Sequence, residues 1–484
     1  MTAPLDHLTA NGHLERFFIG GAWVTPRGTA SAGVTNPATE KVVCRFPLGT
    51  DADVDAAVAA ARKAFPGWSR RAPEHRAELL SRLAGLLETR YELFAQCLTL
   101  EMGAALGYAR ATQVPLAIAH VKTAIEVLSD FAFVKPRGHT AIAHEAIGVC
   151  ALITPWNWPL YQITAKVAPA LAAGCTVVLK PSELSPLNAL LFAEVIEEAG
   201  FPAGVFNLVQ GDGAGVGAAL AAHPDVDMIS ITGSTRAGVA VAQAAAPTVK
   251  RVAQELGGKS PNVILPDADL SSAIAPGVAA AFRNLGQSCS APTRMIVPRA
   301  RLSEVEALAK QATEEIVVGD PLSEASTHGA IANRAQFDRV QTMIEAGVAE
   351  GAKLVTGGPG RPEGLETGLF VNPTIFSDVR TDMRIAQEEI FGPVLCIIPY
   401  DTVDEAVSIA NDTVYGLGAH VQGSNMEAAR DVAAQIRSGQ VHLNYPAWDP
   451  HAPFGGFKQS GNGREYGLEG MLEYLETKSI LGYF

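Results

Sequence analysis

One cysteine, Cys289, lies in a setting that favours chemistry on its thiol. It stands between two serines in the stretch FRNLGQSCSA, residues 282–291, behind polar and turn-forming residues. A thiol in a polar, partly exposed site can act as a nucleophile. The competing interpretation is that Cys289 is a small buried hydrophobe, as a cysteine often is. Catalysis therefore requires that the chain also supply a base, an oxyanion donor and an acceptor.

Two residues are candidates for the base and the oxyanion donor. Glu255, in QELGGKSPN, ends a predicted strand, and the two glycines after it allow a sharp turn. Asn157, in TPWNWP, follows a predicted buried strand between two tryptophans and two prolines, a rigid setting that suits an oxyanion donor. The alternatives are a strand-end glutamate that faces water and an aromatic turn that closes one end of a sheet.

Two strand-end stretches favour a phosphate-bearing cofactor. In ISITGSTRAG, residues 229–238, Gly233 and Ser234 open a predicted helix, whose free N–H groups attract phosphate. In LKPSE, Lys180 and Glu183 can hold ribose hydroxyls or form a solvated salt bridge. The stretch 229–238 is not a nucleotide P-loop, since no Lys-Ser/Thr pair follows Gly238. The stretch GDGAGVG at 211–217 does not fit the G-x-G-x-x-G fingerprint when the pattern is counted from Gly211. Counted from Gly213, it fits only with alanine in place of the last glycine.

Motifs of other enzyme classes do not occur in the sequence. It contains no G-x-S-x-G, no H-E-x-x-H and no Cys/His zinc cluster, so we expect no metal site. A thiol hydrolase without redox chemistry and a non-catalytic binding protein remain as alternatives. A thiol hydrolase would not need the two stretches that favour a cofactor. A binding protein would not need the candidate nucleophile, base and oxyanion donor that the chain contains.

Composition bounds the partners and the compartment. A chain of 484 residues with 48% hydrophobic residues predicts at least two domains. The net charge of −13 argues against binding to nucleic acid or anionic membrane, which favours small-molecule partners and other subunits. Six scattered cysteines without a C-x-x-C pair, and an opening stretch without an apolar signal region, predict a cytoplasmic protein. The longest uncharged stretch, 146–165, is interrupted by prolines, so we expect no membrane span.

The hydrophobic pattern alternates between strands and helices. Early strands are predicted at 17–24 and 42–48, followed by a helix from 51 to 65 that Pro66-Gly67 ends and a second around leucines 79–87. From residue 147, apolar strands alternate with helices such as 187–199 and 239–246, and a second such set begins at 262; this is typical of parallel sheets. The segments 135–146 and 472–484 are predicted strands outside both sets and candidates for subunit contacts.

Taken together, these stretches resemble motifs of the aldehyde dehydrogenase superfamily, from residue 17 to 478 and in the family's order. The matching motifs are TPWNWP, LKPSE, TGSTRAG, ELGGKSP, NLGQSC, EEIFGPV and PFGGFKQSGNGRE. The resemblance implies an α/β fold of two doubly wound parallel-sheet domains, a variant Rossmann cofactor domain and a catalytic domain, with a small β oligomerisation element. It implies a dinucleotide-binding domain at 1–123 and 147–257, a catalytic domain at 258–460, and an oligomerisation element at 124–146 and 461–484.

The resemblance also implies roles for individual residues. Cys289 would be the nucleophile, Glu255 the general base and Asn157 the oxyanion donor. The cofactor-binding residues would be Thr154, Trp156, Lys180, Glu183, Gly213, Gly233, Ser234, Leu256, Glu389 and Phe391. The aldehyde tunnel would be lined by Trp158, Gln162, Ala165, Arg283, Ser290, Trp448 and Phe454.

The expected reaction is oxidation of an aldehyde to the acid through a thioester that water hydrolyses. Family members that pass the acyl group to coenzyme A typically lack a carboxylate at the position of Glu255, so we expect hydrolysis. Glu183 should accept a hydrogen bond from a free 2′-hydroxyl and repel a 2′-phosphate, which favours NAD, with NADP as a second cofactor. The enzyme is expected to be a homo-oligomer, either a dimer or a tetramer.

The substrate prediction depends on two positions. Arg283 matches an arginine that succinate semialdehyde dehydrogenases use for the substrate carboxylate, but the second arginine position is Ala165. We therefore expect a longer oxo-acid or an aromatic or aliphatic aldehyde rather than succinate semialdehyde. The alternative is that Arg283 only caps its helix and pairs with an acid.

Overall fold

The computed structural model describes residues 3–484. The strands within these residues are β1 (Phe17–Ile19), β2 (Ala22–Val24), β3 (Ser31–Asn36), β4 (Lys41–Pro47), β5 (Val134–Arg137), β6 (Thr140–Ala146), β7 (Val149–Ile153), β8 (Thr176–Lys180), β9 (Phe206–Leu208), β10 (Met228–Thr232), β11 (Arg251–Glu255), β12 (Pro261–Ile264), β13 (Arg294–Pro298), β14 (Lys353–Thr356), β15 (Thr374–Ser377), β16 (Val394–Tyr400), β17 (Gly418–Gln422), β18 (Gln440–Leu443), β19 (Gly461–Asn462) and β20 (Leu475–Ile480).

The α-helices of the same residues are α1 (Ala3–Ala10), α2 (Asp51–Trp68), α3 (Pro73–Thr89), α4 (Tyr91–Met102), α5 (Leu106–Tyr108), α6 (Val114–Asp130), α7 (Pro159–Ala173), α8 (Leu187–Ala199), α9 (Ala218–Ala222), α10 (Thr235–Ala245), α11 (Leu270–Phe282), α12 (Leu302–Glu314), α13 (Arg334–Ala349), α14 (Arg384–Gln387), α15 (Val403–Asn411), α16 (Met426–Gln435) and α17 (Gly467–Leu472). None of them is long and apolar enough to cross a membrane.

The first sheet has eight strands in the order β19-β11-β10-β7-β8-β9-β1-β2. Its five middle strands are parallel, and β19, β1 and β2 pair antiparallel at the two edges. Neighbouring residues of β8 pack into different cores, since Val177 and Leu179 join one cluster and Val178 joins another. Both faces are buried, which is why these strands have nearly continuous apolar sequences.

The second sheet has seven strands in the order β14-β15-β16-β13-β12-β17-β18. All its neighbours are parallel except β14, which pairs antiparallel with β15. Along β16, Cys396 faces one core and Leu395 and Ile397 face the other. The two sheets confirm the predicted α/β fold class, although both carry antiparallel edges. The sequence analysis did not identify β15, although it predicted the equally short β14 at 353–356.

A third, antiparallel sheet has the order β20-β6-β5 and contains the two segments that fit neither main sheet. Residues 461–462 form β19, however, which pairs with β11 of the first sheet. The segment 461–484 is therefore divided between two sheets. The assignment of whole domains to cofactor binding, catalysis and oligomerisation stays a prediction.

The helix α2 does not stop before Pro66 as the sequence predicted. It continues through Pro66 and Gly67 to Trp68, and the Ser69 amide still donates to the Phe65 carbonyl at 2.9 Å. Trp68 is buried, with its ring 5.8 Å from that of Phe201. Packing of this tryptophan holds the last turn in place against the local cost of proline. The helix α10 begins at Thr235, directly after the Gly233-Ser234 turn that the sequence predicted to open a helix, although the segment 239–246 had shown only its later part.

Candidate active site

Four predicted site residues lie at one edge of the first sheet. Asn157 follows β7, Lys180 ends β8, Gly233 follows β10 and Glu255 ends β11. Because these neighbouring strands are parallel, their carboxyl ends meet at the same edge, where open α/β sheets bind ligands. Backbone bonds hold the edge together, since the Gly233 amide donates to the Glu255 carbonyl at 3.0 Å.

The loop that carries Cys289 comes from the second sheet, between α11 and β13, and it is strained. Asn284, Leu285 and Gly286 have φ angles of 54°, 58° and 67°, all in the left-handed region. At Gly286 a Cβ atom would lie 2.1 Å from the Gly392 carbonyl oxygen, so only glycine fits. Such strain persists only where the surroundings determine it, as at active sites.

Side-chain amides join this loop to the edge of the first sheet. The Asn157 Nδ2 group donates to the Gln287 carbonyl at 2.9 Å, and the Asn284 Nδ2 group donates to the Asn157 carbonyl at 2.8 Å. The Trp158 Nε1 group donates to Ser288 Oγ at 2.8 Å. Asn157 thus lies beside the residues that precede Cys289, and one Nδ2 hydrogen remains for an oxyanion.

Cys289 itself is half-buried, and its setting favours the protonated thiol over the thiolate. Burial raises the pKa of the thiol above its ordinary value, and the carboxyl groups of Glu389, Glu255 and Glu465 raise it further. The polar sequence context had suggested a reachable thiol, which the exposure allows. The electrostatic surroundings nevertheless oppose the thiolate in the protein alone.

Glu255 is a buried carboxyl group with a free oxygen. It is 3% exposed, and its Oε2 atom has no hydrogen-bond partner among residues 3–484. Burial raises the pKa of Glu255 well above its ordinary value, Glu465 raises it further, and Lys166 and Arg464 oppose the shift. The alternative of a strand-end glutamate facing water is wrong. A carboxyl with a raised pKa is suited to proton transfer near neutral pH.

The sequence analysis gave no role to two residues that pack near Glu255. The Lys166 ammonium, on α7, is fully buried, pairs with Glu465 and donates to Ser230 Oγ at 2.9 Å. Glu465 is the last residue of the motif PFGGFKQSGNGRE, and Lys166 is a lone cation in an apolar helix. Both signals were visible in the sequence, but their pairing across 299 positions was not.

Residues predicted to hold the cofactor surround the ends of β7 and β8. Lys180 is buried with its Nζ atom 3.3 Å from Glu183 Oε2, and burial lowers its pKa while Glu183 opposes the shift. The Thr154 amide donates to the Lys180 carbonyl at 3.1 Å, and the Thr154 hydroxyl is buried without a partner among the described residues. Gly213 is exposed at the start of a short helical segment that ends at Gly217. This segment lies beside Lys180, since a Cβ on Gly217 would be 3.9 Å from Lys180 Cδ.

The amino end of α10 lies at the same edge. Ser234 caps it by accepting from the Ala237 amide at 3.2 Å, and Ser234 is exposed and Gly233 half-buried. Leu256 is buried against Gly238, where a Cβ would lie 2.6 Å from its side chain. An open helix terminus with small residues can receive phosphate oxygens.

On the side of the second sheet, Glu389 and Phe391 face the same region. The Glu389 Oε1 atom accepts from the Gly258 amide at 2.9 Å, and burial raises the pKa of Glu389 to about 7. Phe391 has a φ of 61°, and its ring lies edge-on to Trp156 at 5.3 Å. The contact between Trp156 and Phe391 thus joins this side to the loop that follows β7.

A group of aromatic rings that we call the aromatic wall packs with Cys289 and is made of Tyr161, Phe454 and Tyr466. These rings pack in one apolar cluster with Ala165, Leu417 and Cys289. The Tyr161 hydroxyl donates to the Tyr466 hydroxyl at 2.7 Å, and Phe454 and Tyr466 are stacked at 5.1 Å. The sequence predicted Phe454 but missed both tyrosines.

Other predicted tunnel residues differ in how close they lie to the aromatic wall. The centre of the Trp158 ring is 5.4 Å from that of the Tyr161 ring. Trp448 is exposed, and its ring centre is 5.4 Å from that of His120. Ser290 lies against Gly418, where a Cβ would be 3.4 Å from Ser290 Cβ. Gln162 is buried and accepts from Thr232 Oγ1 at 3.2 Å, which connects it to the first sheet rather than to the wall.

Arg283 is exposed at the carboxyl end of α11. Its charge acts on Tyr108 and Tyr161, whose pKa values it lowers against the larger effect of burial. Within residues 3–484 its side chain is not among the ion-paired groups, which removes the alternative of an arginine satisfied by an acid. The Arg283 guanidinium is therefore available to bind a polar group of a ligand.

Comparisons with known proteins give a consistent result. Residues 23–480 match the model of the aldehyde dehydrogenase family. The chain is 56% identical over 470 residues to 3-succinoylsemialdehyde-pyridine dehydrogenase from a Pseudomonas species, covering 97% of this chain and 98% of that one. A crystal structure of an aldehyde dehydrogenase C mutant from Pseudomonas syringae, in complex with NAD+ and octanal, superposes with a TM-score of 0.97 at 66% identity, covering 98% of each chain. An aldehyde dehydrogenase from Mycobacterium tuberculosis in complex with NAD+ gives a TM-score of 0.94 at 41% identity, covering 96% of this chain and 98% of that one.

Proposed function

The chain belongs to the aldehyde dehydrogenase family and is an NAD-dependent aldehyde dehydrogenase. From this premise we propose that it oxidises medium-sized aldehydes with an apolar alkyl or aryl body to carboxylic acids, with Cys289 as nucleophile. The observation that carries the substrate class is the aromatic wall, whose three rings pack together with Cys289 in one cluster. Apolar surface of this kind binds hydrocarbon and aromatic groups by excluding water from both.

The first half of the reaction forms a bond between Cys289 and the substrate. Sγ, after its proton has passed to solvent water, attacks the aldehyde carbon, and the carbonyl oxygen becomes an oxyanion. The second Asn157 Nδ2 hydrogen and the Cys289 amide can donate to that oxygen. Because Asn157 is held by Gln287 and Asn284, its donor needs no rearrangement. Loss of a hydride from the former aldehyde carbon then leaves a thioester on Cys289.

The residues present fit NAD. The buried Thr154 hydroxyl lacks a partner, Lys180 lies beside it, and the amino end of α10 is open at Ser234. Thr154, Lys180 and Glu183 would hold the adenosine end, and Gly233 and Ser234 the pyrophosphate. Trp156, Glu389 and Phe391 would lie at the nicotinamide end. When bound, NAD supplies the hydride acceptor and a positively charged ring.

The second half of the reaction releases the acid. Glu255 removes a proton from water, the oxygen of that water attacks the thioester carbon, and the carbon–sulfur bond breaks to return the thiolate. The paired Lys166 and Glu465 lie within electrostatic reach of Glu255, where Lys166 favours the carboxylate form of Glu255 and Glu465 opposes it. The presence of a carboxyl here supports hydrolysis rather than acyl transfer to a second thiol.

Relatives support the proposed substrate class from two directions. One is named for a pyridine-bearing semialdehyde, and another was crystallised with octanal. Both substrates carry an apolar body longer than that of succinate semialdehyde. The buried Ala165 at the wall, where a second arginine would be needed, also disfavours a short carboxylated substrate.

An aldehyde panel tests this proposal. NADH formation with octanal, a phenyl-substituted aldehyde and succinate semialdehyde should give kcat/KM values at least about tenfold higher for the first two, since each buried methylene contributes about 0.8 kcal/mol. A preference for succinate semialdehyde would refute the substrate class. An Arg283→Ala variant should lose activity only with substrates that carry a polar or anionic group at the far end; equal loss with octanal would show that Arg283 is structural.

We propose a homo-oligomer formed through unpaired strand edges. The strand β20 is an exposed edge of the small sheet, β18 is an edge of the second sheet, and Leu481, Tyr483 and Phe484 expose apolar side chains beyond β20. Such edges pair with other chains unless they are protected. Light scattering that gave a monomer would contradict this.

All six cysteines are free thiols, which supports a cytoplasmic enzyme.

A further inference from the structure

A buried glutamine, Gln113, connects the helical part of the chain to the loop that carries Cys289. It is the last residue of a π-helical segment, Ala109–Gln113, which lies between α5 and α6, and its side chain is fully buried. Its Nε2 group donates to the Asn284 Oδ1 atom at 3.1 Å, across 171 positions of the chain. Short π-helical segments inside helices are uncommon and occur frequently at functional sites. Gln113 thereby ties the start of α6 to the strained loop before Cys289.

The bond from Gln113 determines which way the Asn284 amide faces. On one side, Asn284 Nδ2 donates to the main-chain carbonyls of Asn157 at 2.8 Å and of Gln287 at 3.2 Å. A carbonyl oxygen can only accept, so the amide nitrogen must face these two groups. The amide oxygen then faces the other side, where it needs a donor because Asn284 is buried. Gln113 supplies that donor.

Asn284 in turn holds the residue proposed to donate to the oxyanion. Its bond to the Asn157 carbonyl and the bond from Asn157 Nδ2 to the Gln287 carbonyl join the three residues to one another. If the Asn284 amide turned over, its oxygen would face two carbonyl oxygens, and both of its bonds to them would be lost. We propose that Gln113 is a positioning residue for the reaction: it fixes the Asn284 amide and, through it, the Asn157 side chain.

The other contacts of the Gln113 amide are weak or missing. Its Oε1 atom is buried without a hydrogen-bond partner among residues 3–484, and its second Nε2 contact, at 3.5 Å, is with Met102 Sδ, a weak acceptor. A buried acceptor without a partner destabilises a fold, and an apolar side chain of similar length would avoid that cost. The bond to Asn284 is therefore the contact that accounts for an amide at this position.

The role of Gln113 rests on the proposed function, in which Asn157 donates to an oxyanion. That oxyanion forms only when Cys289 Sγ bonds to the aldehyde carbon, so a donor already held in place acts mainly on this step. Among residues 3–484, the side-chain hydrogen bonds of Gln113 go to Asn284 and Met102. Neither belongs to the aromatic wall or to the predicted cofactor residues. Gln113 should therefore affect kcat with little effect on the KM of NAD or of the aldehyde.

A double-mutant cycle with Asn157 tests this role. Gln113→Met removes the donor and keeps the length of the side chain. It should lower kcat for NADH formation with octanal about tenfold, the scale of one buried hydrogen bond, while both KM values change less than about threefold. In an Asn157→Ala background the same change should lower kcat less than about twofold, because the group through which Gln113 acts is absent. An equal loss in both backgrounds would mean that Gln113 only stabilises the loop, and it would overturn the proposal, as would a wild-type kcat in Gln113→Met.

Gln113→Glu gives a second readout, which also serves if Gln113→Met does not fold. A protonated carboxyl can donate to Asn284 Oδ1, whereas a carboxylate can only accept. Burial raises the pKa of a carboxyl, so the kcat of this variant relative to wild type should be highest near about pH 6 and fall as the pH rises to about 9. Gln311 is exposed on α12, and Gln311→Met and Gln311→Glu should keep the wild-type kcat at each pH. A kcat ratio for Gln113→Glu that did not change with pH would contradict the donor role.

The wild-type protein and Asn157→Ala separate a wrong role for Gln113 from a wrong function. Wild-type protein that forms NADH from octanal, with an Asn157→Ala variant that forms it much more slowly, supports the function whatever Gln113→Met shows. Wild-type protein without that activity would overturn both the function and the role of Gln113.

Discussion

Glu255→Gln isolates the hydrolytic half of the proposed reaction. The change keeps the size of a side chain that is 3% exposed, so packing at the end of β11 is preserved. Burial and Glu465 already favour the protonated, neutral form of Glu255, and a neutral amide therefore adds no charge to the site. What is lost is the carboxylate, the form of Glu255 that accepts a proton from water once its own proton has left. A positioned general base contributes about 10²- to 10⁴-fold, or about 2.7–5.4 kcal/mol of activation free energy.

Rapid mixing with NAD and aldehyde, followed by NADH absorbance, separates the two halves. In Glu255→Gln we expect a burst of about one NADH per active site, because Cys289 and Asn157 remain, and then a steady-state rate reduced by the factor above. Glu427→Gln changes an exposed carboxylate in the first turn of α16 and serves as the control. It should retain the wild-type steady-state rate.

Two results would refute the reasoning about Glu255. An undiminished steady-state rate of acid release would mean that another group activates water. Loss of both the burst and the steady state would mean that Glu255 acts before the thioester forms, as the base that deprotonates Cys289. Mass spectrometry of the quenched protein gives an independent check, since the expected variant accumulates the acyl group on Cys289.

Three further predictions concern other parts of the chain. Asn157→Ala should lower kcat about 10²- to 10³-fold with little change in the unfolding temperature, measured by steady-state NADH formation. Glu183→Ala should narrow the NAD/NADP ratio of kcat/KM by removing a carboxylate that repels a 2′-phosphate; an unchanged ratio would place discrimination elsewhere. Burial raises the pKa of Glu101 to about 7, so its contribution to stability is complete below about pH 4.5 and is lost as the pH rises through 7. Glu101→Gln should therefore show a shallower loss of unfolding free energy between pH 5.5 and 8, and equal slopes would contradict a buried titrating carboxyl.

The sequence predicted the strand-end positions of the site well, for a simple physical reason. Strands buried on both faces have continuous apolar runs, and the polar residues that end them are conspicuous. Lys180 and Glu255 are such residues, and Asn157 follows a strand of the same kind. Parallel pairing then brings the ends to one edge without further information. The resemblance of the motifs added the roles, which the geometry supports and which await mutation.

Contacts between distant residues were not predictable from patterns along the chain. Lys166 meets Glu465 and Tyr161 meets Tyr466 only because α7 packs against the segment that precedes α17. A helix with an apolar pattern shows that its face is buried, but not against which residues. The same limit applied to α2, where the local proline signal predicted an end and the packing of Trp68 determined the outcome.

The surroundings of Cys289 explain why its reactivity could not be judged from its neighbours in sequence. Serines and a Gly-Gln turn suggest an accessible and activated thiol, yet Glu389, Glu255 and Glu465 converge on it from two sheets and raise its pKa. Burial also raises the pKa of Glu389, to about 7, and that of Glu255. In the protein alone, these surroundings therefore disfavour the Cys289 thiolate and the Glu255 carboxylate. Reactivity must then depend on the positive charge that the cofactor brings and on the Asn157 donor, which acts only once an oxyanion forms.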